Sequence, residues 1–144
     1  MARIKIDFDG FDKMIEEFES MEVALNPVVE KALEASFDII TPKLASLLPP
    51  HRVSGATHDS LITSPQVKWN GNEASIKVGF DLKKDITSQF LLYGAKANAE
   101  KNIPKREPDM MMWNAVHGTE TLKQVEQTQK DVFFKELEKY KSKR

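Results

Sequence analysis

The chain has 144 residues, 40% of them hydrophobic and 30% charged, with 21 basic side chains against 22 acidic ones. That length fits one domain with a core of its own, and the apolar fraction at a net charge of −1 excludes a disordered chain. Cysteine is absent, so disulfides, cysteine-based zinc sites and thiol catalysis are excluded.

Arg3 to Phe8 alternates strictly, with Ile4, Ile6 and Phe8 on one side, and predicts a short strand with one buried face. Asp9-Gly10 turns the chain, with Asp9 as a helix cap. Phe11, Ile15, Phe18 and Met21 then recur at helical spacing, with Asp12, Glu16, Glu17 and Glu19 facing out, which predicts a helix over about 11–25.

Asn26-Pro27 starts a second helix, the proline at a position where its missing N–H does no harm. Its apolar stripe, through Val29, Leu33, Phe37, Ile40, Leu44 and Leu48, is the longest in the chain and stops at Pro49-Pro50. Pro42 lies inside it and cannot donate to the carbonyl of Asp38, so a kink is expected there. Pro49 to Ser60 follows as an exposed loop.

The period then changes to two. Val67 and Trp69 precede Asn70-Gly71, and Ala74, Ile76, Val78 and Phe80 follow, the pattern of a β-hairpin around an Asn-Gly turn. That turn would pair Trp69 with Asn72 and Val67 with Ala74, placing all six apolar side chains on one face. Gln89 to Gly94 is a short apolar run, strand or helical turn, and Ala95 to Pro108 is a long polar stretch expected to be a mobile loop. Pro108-Asp109 opens a helix with Met111, Met112, Ala115 and Val116, which Gly118 interrupts. From Thr119 a last amphipathic helix carries Leu122, Val125, Val132, Phe133, Leu137 and Tyr140, and the basic tail 139–144 is expected to fray.

This order makes a single α+β domain over residues 1–144: a small antiparallel sheet with a central Asn-Gly hairpin, packed by a long kinked helix, with C-terminal helices. The final stripe exceeds what one small sheet can cover, and a surplus apolar face is often a subunit interface. No window reaches the roughly 20 apolar residues of a membrane helix, and the first residues lack a signal-peptide apolar block.

Charge is unevenly spread. Residues 1–40 carry a balance of −6, 41–120 carry +2 and 121–144 carry +3. Such a split fits oppositely charged surfaces that meet in an assembly. It predicts that Glu16 and Glu19 of the first helix meet Lys135, Lys139 and Lys141 of the last helix across neighbouring subunits. A sequence-reading DNA-binding domain is disfavoured, because the chain as a whole has no basic excess.

Candidate chemistry is sparse. Ser54, His58, Asp59 and Ser60 share one loop, whereas a hydrolytic triad converges from separate elements beside an oxyanion hole. His51 and His58 lack a third metal ligand at useful spacing. His117 stands at a helix end, where its positive form would meet the carbonyl dipoles. No phosphate-binding loop or dinucleotide fingerprint is present. No catalytic, cofactor or metal residue is therefore expected. In the run Met110 to Trp113, Met111 and Met112 are expected to fill the core, while Met110 and Trp113 are the candidate interface anchors.

Several short motifs now fall in a familiar order. Phe8-Asp9-Gly10-Phe11 leads to a long helix ending in Leu47-Leu48-Pro49. Ser54-Gly55 and Ser60-Leu61-Ile62 follow, then a hairpin ending in Ile76-Lys77-Val78-Gly79. Phe90-Leu91-Leu92-Tyr93-Gly94 and the helix with Met111-Met112-Trp113-Asn114-Ala115 complete the set. Over residues 4–118 this resembles the tail-completion proteins of long-tailed bacteriophages, the group of tail terminators and head–tail joining proteins. The resemblance implies a structural virion protein made in the bacterial cytoplasm, and not an enzyme. Its homo-oligomeric ring, commonly a hexamer, would sit between the tail tube protein and the head connector or stopper protein, with DNA passing unread through the lumen. The two loops would become ordered in that ring. The alternatives are a connector on the capsid side of the joint and a cytosolic adaptor without a virion role.

Overall fold

The computed structural model describes residues 2–48, 59–81, 93–94, 100, 105 and 107–141. The described elements are β1 (Ala2–Ile4), α1 (Phe11–Ser20), α2 (Asn26–Leu47), β2 (Val67–Asn70), β3 (Glu73–Val78), α3 (Met110–His117) and α4 (Thr119–Lys141). The three strands form one antiparallel sheet in the order β1-β3-β2. With the long bent α2 and the other helices, this is the α+β architecture expected from the sequence.

Residues Arg3 to Phe8 alternate as predicted, odd positions exposed and even positions wholly or partly buried. Only the first part of that run pairs as a strand, with Ile4 opposite Ile76. Beyond Ile4 the backbone finds a different partner. The side chain of Gln129 on α4 accepts from the Asp7 N–H at 3.1 Å and donates to the Lys5 carbonyl at 3.0 Å. A primary amide carries one donor–acceptor pair in the geometry of a neighbouring strand, so Gln129 continues the pairing where β3 no longer does. Its amide nitrogen also reaches Ser36 Oγ at 3.0 Å, and Ser36 donates to the Ala32 carbonyl.

The hairpin joins β2 and β3, but its turn is not centred on Asn70-Gly71. Asn70 pairs with Glu73 as the last rung, and Gly71 and Asn72 make the turn. Gly71 has φ +64°, while Asn72 is not in the left-handed region. One glycine at the first turn position meets the demand of a type II′ turn, whereas a type I′ turn on Asn70-Gly71 would put both residues at positive φ. The register therefore moves by two, with Trp69 opposite Ala74 and Val67 opposite Ile76. A shift of two keeps every side chain on its face. Past β2 the ladder resumes, with Leu61 bridging Phe80, Ile62 N–H on the Gly79 carbonyl and Asp81 N–H on the Ser60 carbonyl. Between the two stretches the β2 side holds two extra residues, at a break containing Pro65, which has no N–H to offer.

Helix α1 ends at Ser20 rather than near Leu25. Glu22 adopts φ +57°, its N–H bonds the Glu19 carbonyl, and the Val23 N–H reaches back to the Phe18 carbonyl. This is a Schellman close with glutamate in the left-handed position that glycine usually fills. At the other end, Gly10 (φ +89°) occupies the cap position with no side-chain cap, so Asp9 does not cap α1 as predicted. In contrast, Asp109 caps α3, its carboxylate accepting from the N–H groups of Met111 and Met112 at 3.0 and 3.2 Å. Helix α4 runs through Lys139 to Lys141, so that part of the basic tail is helical rather than frayed.

Apolar side chains form two clusters. The larger packs α2 and α3 on the sheet, through Leu33, Phe37, Ile40, Leu44, Ile76, Val78, Phe80 and Met112. The smaller joins Phe8, Met14, Phe18, Val28, Ala32, Phe133 and Leu137. Helices α2 and α4 run through both, and the Gln129–Ser36 pair lies where one gives way to the other. On α4 the buried row is Thr121, Val125, Gln129, Phe133 and Leu137, four residues apart.

Candidate functional site

The predicted interface residues fall into two places. The acidic face of α1 and the basic end of α4 are one place, because they pack against each other within the same chain. Phe133 on α4 stands at the centre, with ring centroids of Phe8, Phe11 and Phe18 at 5.5, 5.3 and 6.0 Å. Their mutual angles of 57–85° are edge-to-face or tilted, the favoured arrangement for aromatic quadrupoles. At the rim of this cluster, Lys141 Nζ lies 3.5 Å from Glu17 Oε2. Nearby on α4, Glu136, largely buried, accepts from Lys31 of α2 at 2.6 Å. One pair of the predicted sense, Lys141 with Glu17, thus forms inside the subunit, while Lys31 with Glu136 pairs in the opposite sense. Glu16, Glu19, Lys135 and Lys139 are exposed on these helices.

The second place is α3. Met110, Trp113, Asn114 and His117 share its outward face at helical spacing, while Met112, Ala115 and Val116 face the core. Met110 is 54% exposed and Met111 67% exposed. Met112 fills the core as predicted, but Met111 does not, because its position on the helix points it toward a groove. That groove, of about 540 Å³, runs between the end of α2, α3 and the start of α4; Lys43, Leu47, Met111, Asn114 and Thr121 are among its walls. Its floor is tied by polar contacts. Lys43 donates to Thr121 Oγ1 and Gln124 Oε1, and Thr121 donates to the Asn114 carbonyl at 3.0 Å. Gly118 makes the α3–α4 joint possible, since a Cβ there would lie 2.5 Å from the Asn114 carbonyl oxygen.

Next to this face, Tyr93 Oη and His117 Nε2 are 2.9 Å apart. The His117 ring lies tilted against Tyr93 and Trp113, with centroids 5.7 and 5.3 Å away. Burial holds the His117 pKa below the usual histidine value and raises that of Tyr93. The direction of this bond is set by the imidazole tautomer, since both the phenol oxygen and Nε2 can donate or accept. His117 stands in the last turn of α3, at the helix end expected for it, and its burial disfavours the positive form there.

The surplus apolar face predicted on the last helix is instead two separate side chains. Leu122 and Phe134 are 50% and 49% exposed and stand twelve positions apart on α4, about 18 Å along the axis. His51, Ser54 and His58, with most of the two predicted loops, lie outside the described residues. Ser60 is buried, its backbone carbonyl engaged by Asp81. Among the described residues no group of three His, Asp or Glu could hold a metal ion, and no helix is long and apolar enough to cross a membrane. Gln129 and the Tyr93–His117 pair were not singled out from the sequence. For Gln129 a signal exists: it is the one long polar side chain on a row that otherwise reads Thr121, Val125, Phe133, Leu137. Comparison with protein families, curated proteins and solved structures finds no match for the chain.

Proposed function

We propose that the protein is a structural subunit of a phage or prophage particle. It forms a ring at the head–tail junction that completes the tail tube and docks it to the head connector. The observation that carries this reading is the order of short motifs from Phe8-Asp9-Gly10-Phe11 to Met111-Met112-Trp113-Asn114-Ala115. The surface chemistry is compatible with it. Met110 and Met111 stand exposed beside an open groove, and Trp113 lies half-buried on the same helix. Exposed methionines beside a groove suit contacts between copies of the chain, and head-to-tail contacts close into a ring when the rotation allows. Because Lys141 already pairs with Glu17 within the subunit, the ring contact is assigned to α3 and the groove.

Sedimentation velocity and negative-stain imaging of the purified full-length protein test this, alone and mixed with tail tubes. Closed rings, expected to be sixfold, are the supporting result. Met110→Lys should disperse them without changing the circular dichroism spectrum, since Met110 is exposed. A strictly monomeric species at high concentration, with and without tubes, overturns the reading. Particles lacking heads or lacking tails then separate a tail-side position from a capsid-side one.

A further inference from the structure

The outer face of the sheet gathers positive charge from all three strands. Strand alternation sends Arg3, Lys5, Lys68, Ser75 and Lys77 to one side, while Ala74, Ile76 and Val78 on the other join the core under α2. Register then brings the polar set together, with Arg3 directly opposite Lys77 and Lys68 directly opposite Ser75. Lys5, just past β1, lies 3.3 Å from Glu73, but the two side chains are 60% and 72% exposed and the pair is loose. Asp7 and Asp81 lie beyond the paired residues of β1 and β3. Ser75 therefore has one cation across the ladder and another two places along its own strand, at backbone spacings of about 5 and 7 Å. Like charges directly opposite each other, as Arg3 and Lys77 are, cost stability unless an anion lies between them. We propose that this face binds the phosphate backbone of duplex DNA without reading its sequence.

The kind of partner follows from what the face offers and what it lacks. Protein interfaces are anchored by aromatic side chains and are poor in lysine at their centres. Here lysine dominates, and the aromatic residue of β2, Trp69, is on the other side of the sheet, donating to Glu30 at 2.9 Å. The same arrangement disfavours a single strand, whose bases need rings on which to stack. Ammonium, guanidinium and hydroxyl donors on a rigid sheet are the groups that contact phosphate and sugar in duplexes. A duplex carries one charge per about 1.7 Å of axis, so several phosphates meet such a patch at once. The net charge of −1 on the whole chain does not oppose this, because charges farther away than about 8 Å are largely screened at physiological salt. The assignment rests on β1, β2 and β3 and stands whether or not rings form.

The test is fluorescence anisotropy of a short labelled DNA duplex of arbitrary sequence, titrated with the full-length protein. Affinity should fall about 40-fold or more between about 50 and about 200 mM salt, the loss expected for three or more phosphate contacts. Lys68→Glu combined with Lys77→Glu should weaken binding by at least about tenfold. Lys123→Glu combined with Lys135→Glu makes the same change of net charge at exposed positions on α4, and should weaken it by about twofold or less. Lys77→Gln separates binding from folding: it relieves the repulsion with Arg3, so binding should fall while the urea midpoint holds or rises. Equal losses in the two double variants, or an affinity indifferent to salt, overturn the proposal. So does binding to phosphatidylglycerol vesicles as tight as to the duplex, which would make the partner a lipid surface. Sedimentation of the same variants without DNA reads self-association separately, and a change there in Lys68→Glu with Lys77→Glu would make this face a protein contact and also overturn it.

Discussion

The two apolar clusters are built on different plans. The sheet cluster is a layer, in which β3 presents Ala74, Ile76 and Val78 at every second position to a helix stripe on α2. The aromatic cluster is a hub, in which one ring, Phe133, meets three others. A layer spreads its energy over many aliphatic contacts, while a hub concentrates it in one side chain. The two are joined by a polar seam. Gln129, only 1% exposed, sits between Val125 of the first cluster and Phe133 of the second, and its amide binds the backbone of residues 5 and 7. A satisfied buried amide adds little net stability but fixes one arrangement, since any other leaves its groups unpaired. The seam sets the register between layer and hub.

The hub offers the largest effect. Phe133→Ala should cost about 3–5 kcal/mol, the range for deleting a buried aromatic ring, read from the urea midpoint at constant slope. Helices α2 and α4 run through both clusters, so a single transition is expected. A biphasic curve in this variant would show that layer and hub unfold separately. Ile76→Ala in the layer should cost less at the same depth of burial, because fewer atoms are removed.

Breaking the seam comes next. Gln129→Leu leaves the Lys5 carbonyl and the Asp7 N–H without this partner, at about 1–3 kcal/mol. Ser36→Ala should cost less than Gln129→Leu, since the Gln129 amide nitrogen retains the Lys5 carbonyl. Hydrogen exchange at the Asp7 amide should rise in the first variant and stay slow in the second. Equal protection in both would mean that the seam does not hold the chain end.

These elements also differ in how far the sequence discloses them. The layer is legible: alternation over 74–78, the stripe of α2 with Pro42 inside it and the start of α3 after Pro108 all follow from period and residue type. The sequence discloses the hairpin face but not its register, because a shift of two leaves the apolar pattern unchanged and only the turn backbone decides. The hub was half legible. Phe18 and Phe133 lie on predicted stripes, but their meeting is a long-range contact that no local period encodes. The end of α1 is not legible, because glutamate, not glycine, takes the left-handed position at residue 22. Of the candidate site, Met110 and Trp113 were placed on the outward face of α3. Composition records opposite charge at the two ends of the chain without saying that the fold brings Lys141 and Glu17 together.

The Schellman close of α1 supports a smaller and opposite prediction. A left-handed conformation costs a residue with a Cβ about 1–2 kcal/mol, and glycine gives back about 0.4–1 kcal/mol through greater freedom in the unfolded chain. Glu22→Gly should therefore stabilise by about 0.5–1 kcal/mol, a rise in urea midpoint. A fall would mean that the Glu22 side chain contributes more at the edge of the hub than its exposure indicates.

The smallest effect separates two uses of the same charges. Lys141 and Glu17 are each about half exposed and 3.5 Å apart, so water and salt screen them and the pair is worth about 0–1 kcal/mol. Lys141→Glu should lower stability by no more than that, with the loss shrinking as salt is raised, and should leave assembly unchanged. If the basic end of α4 instead met a neighbour's acidic helix, the same substitution would change the sedimentation coefficient at a fixed protein concentration while barely moving the urea midpoint. Glu17→Lys combined with Lys141→Glu restores the pair within one chain and, in a uniform ring, between chains as well. Mixing the two single variants decides the matter: complementary surfaces on different molecules can recover assembly only if the contact crosses the subunit boundary. No recovery is expected, because one subunit already contains both partners.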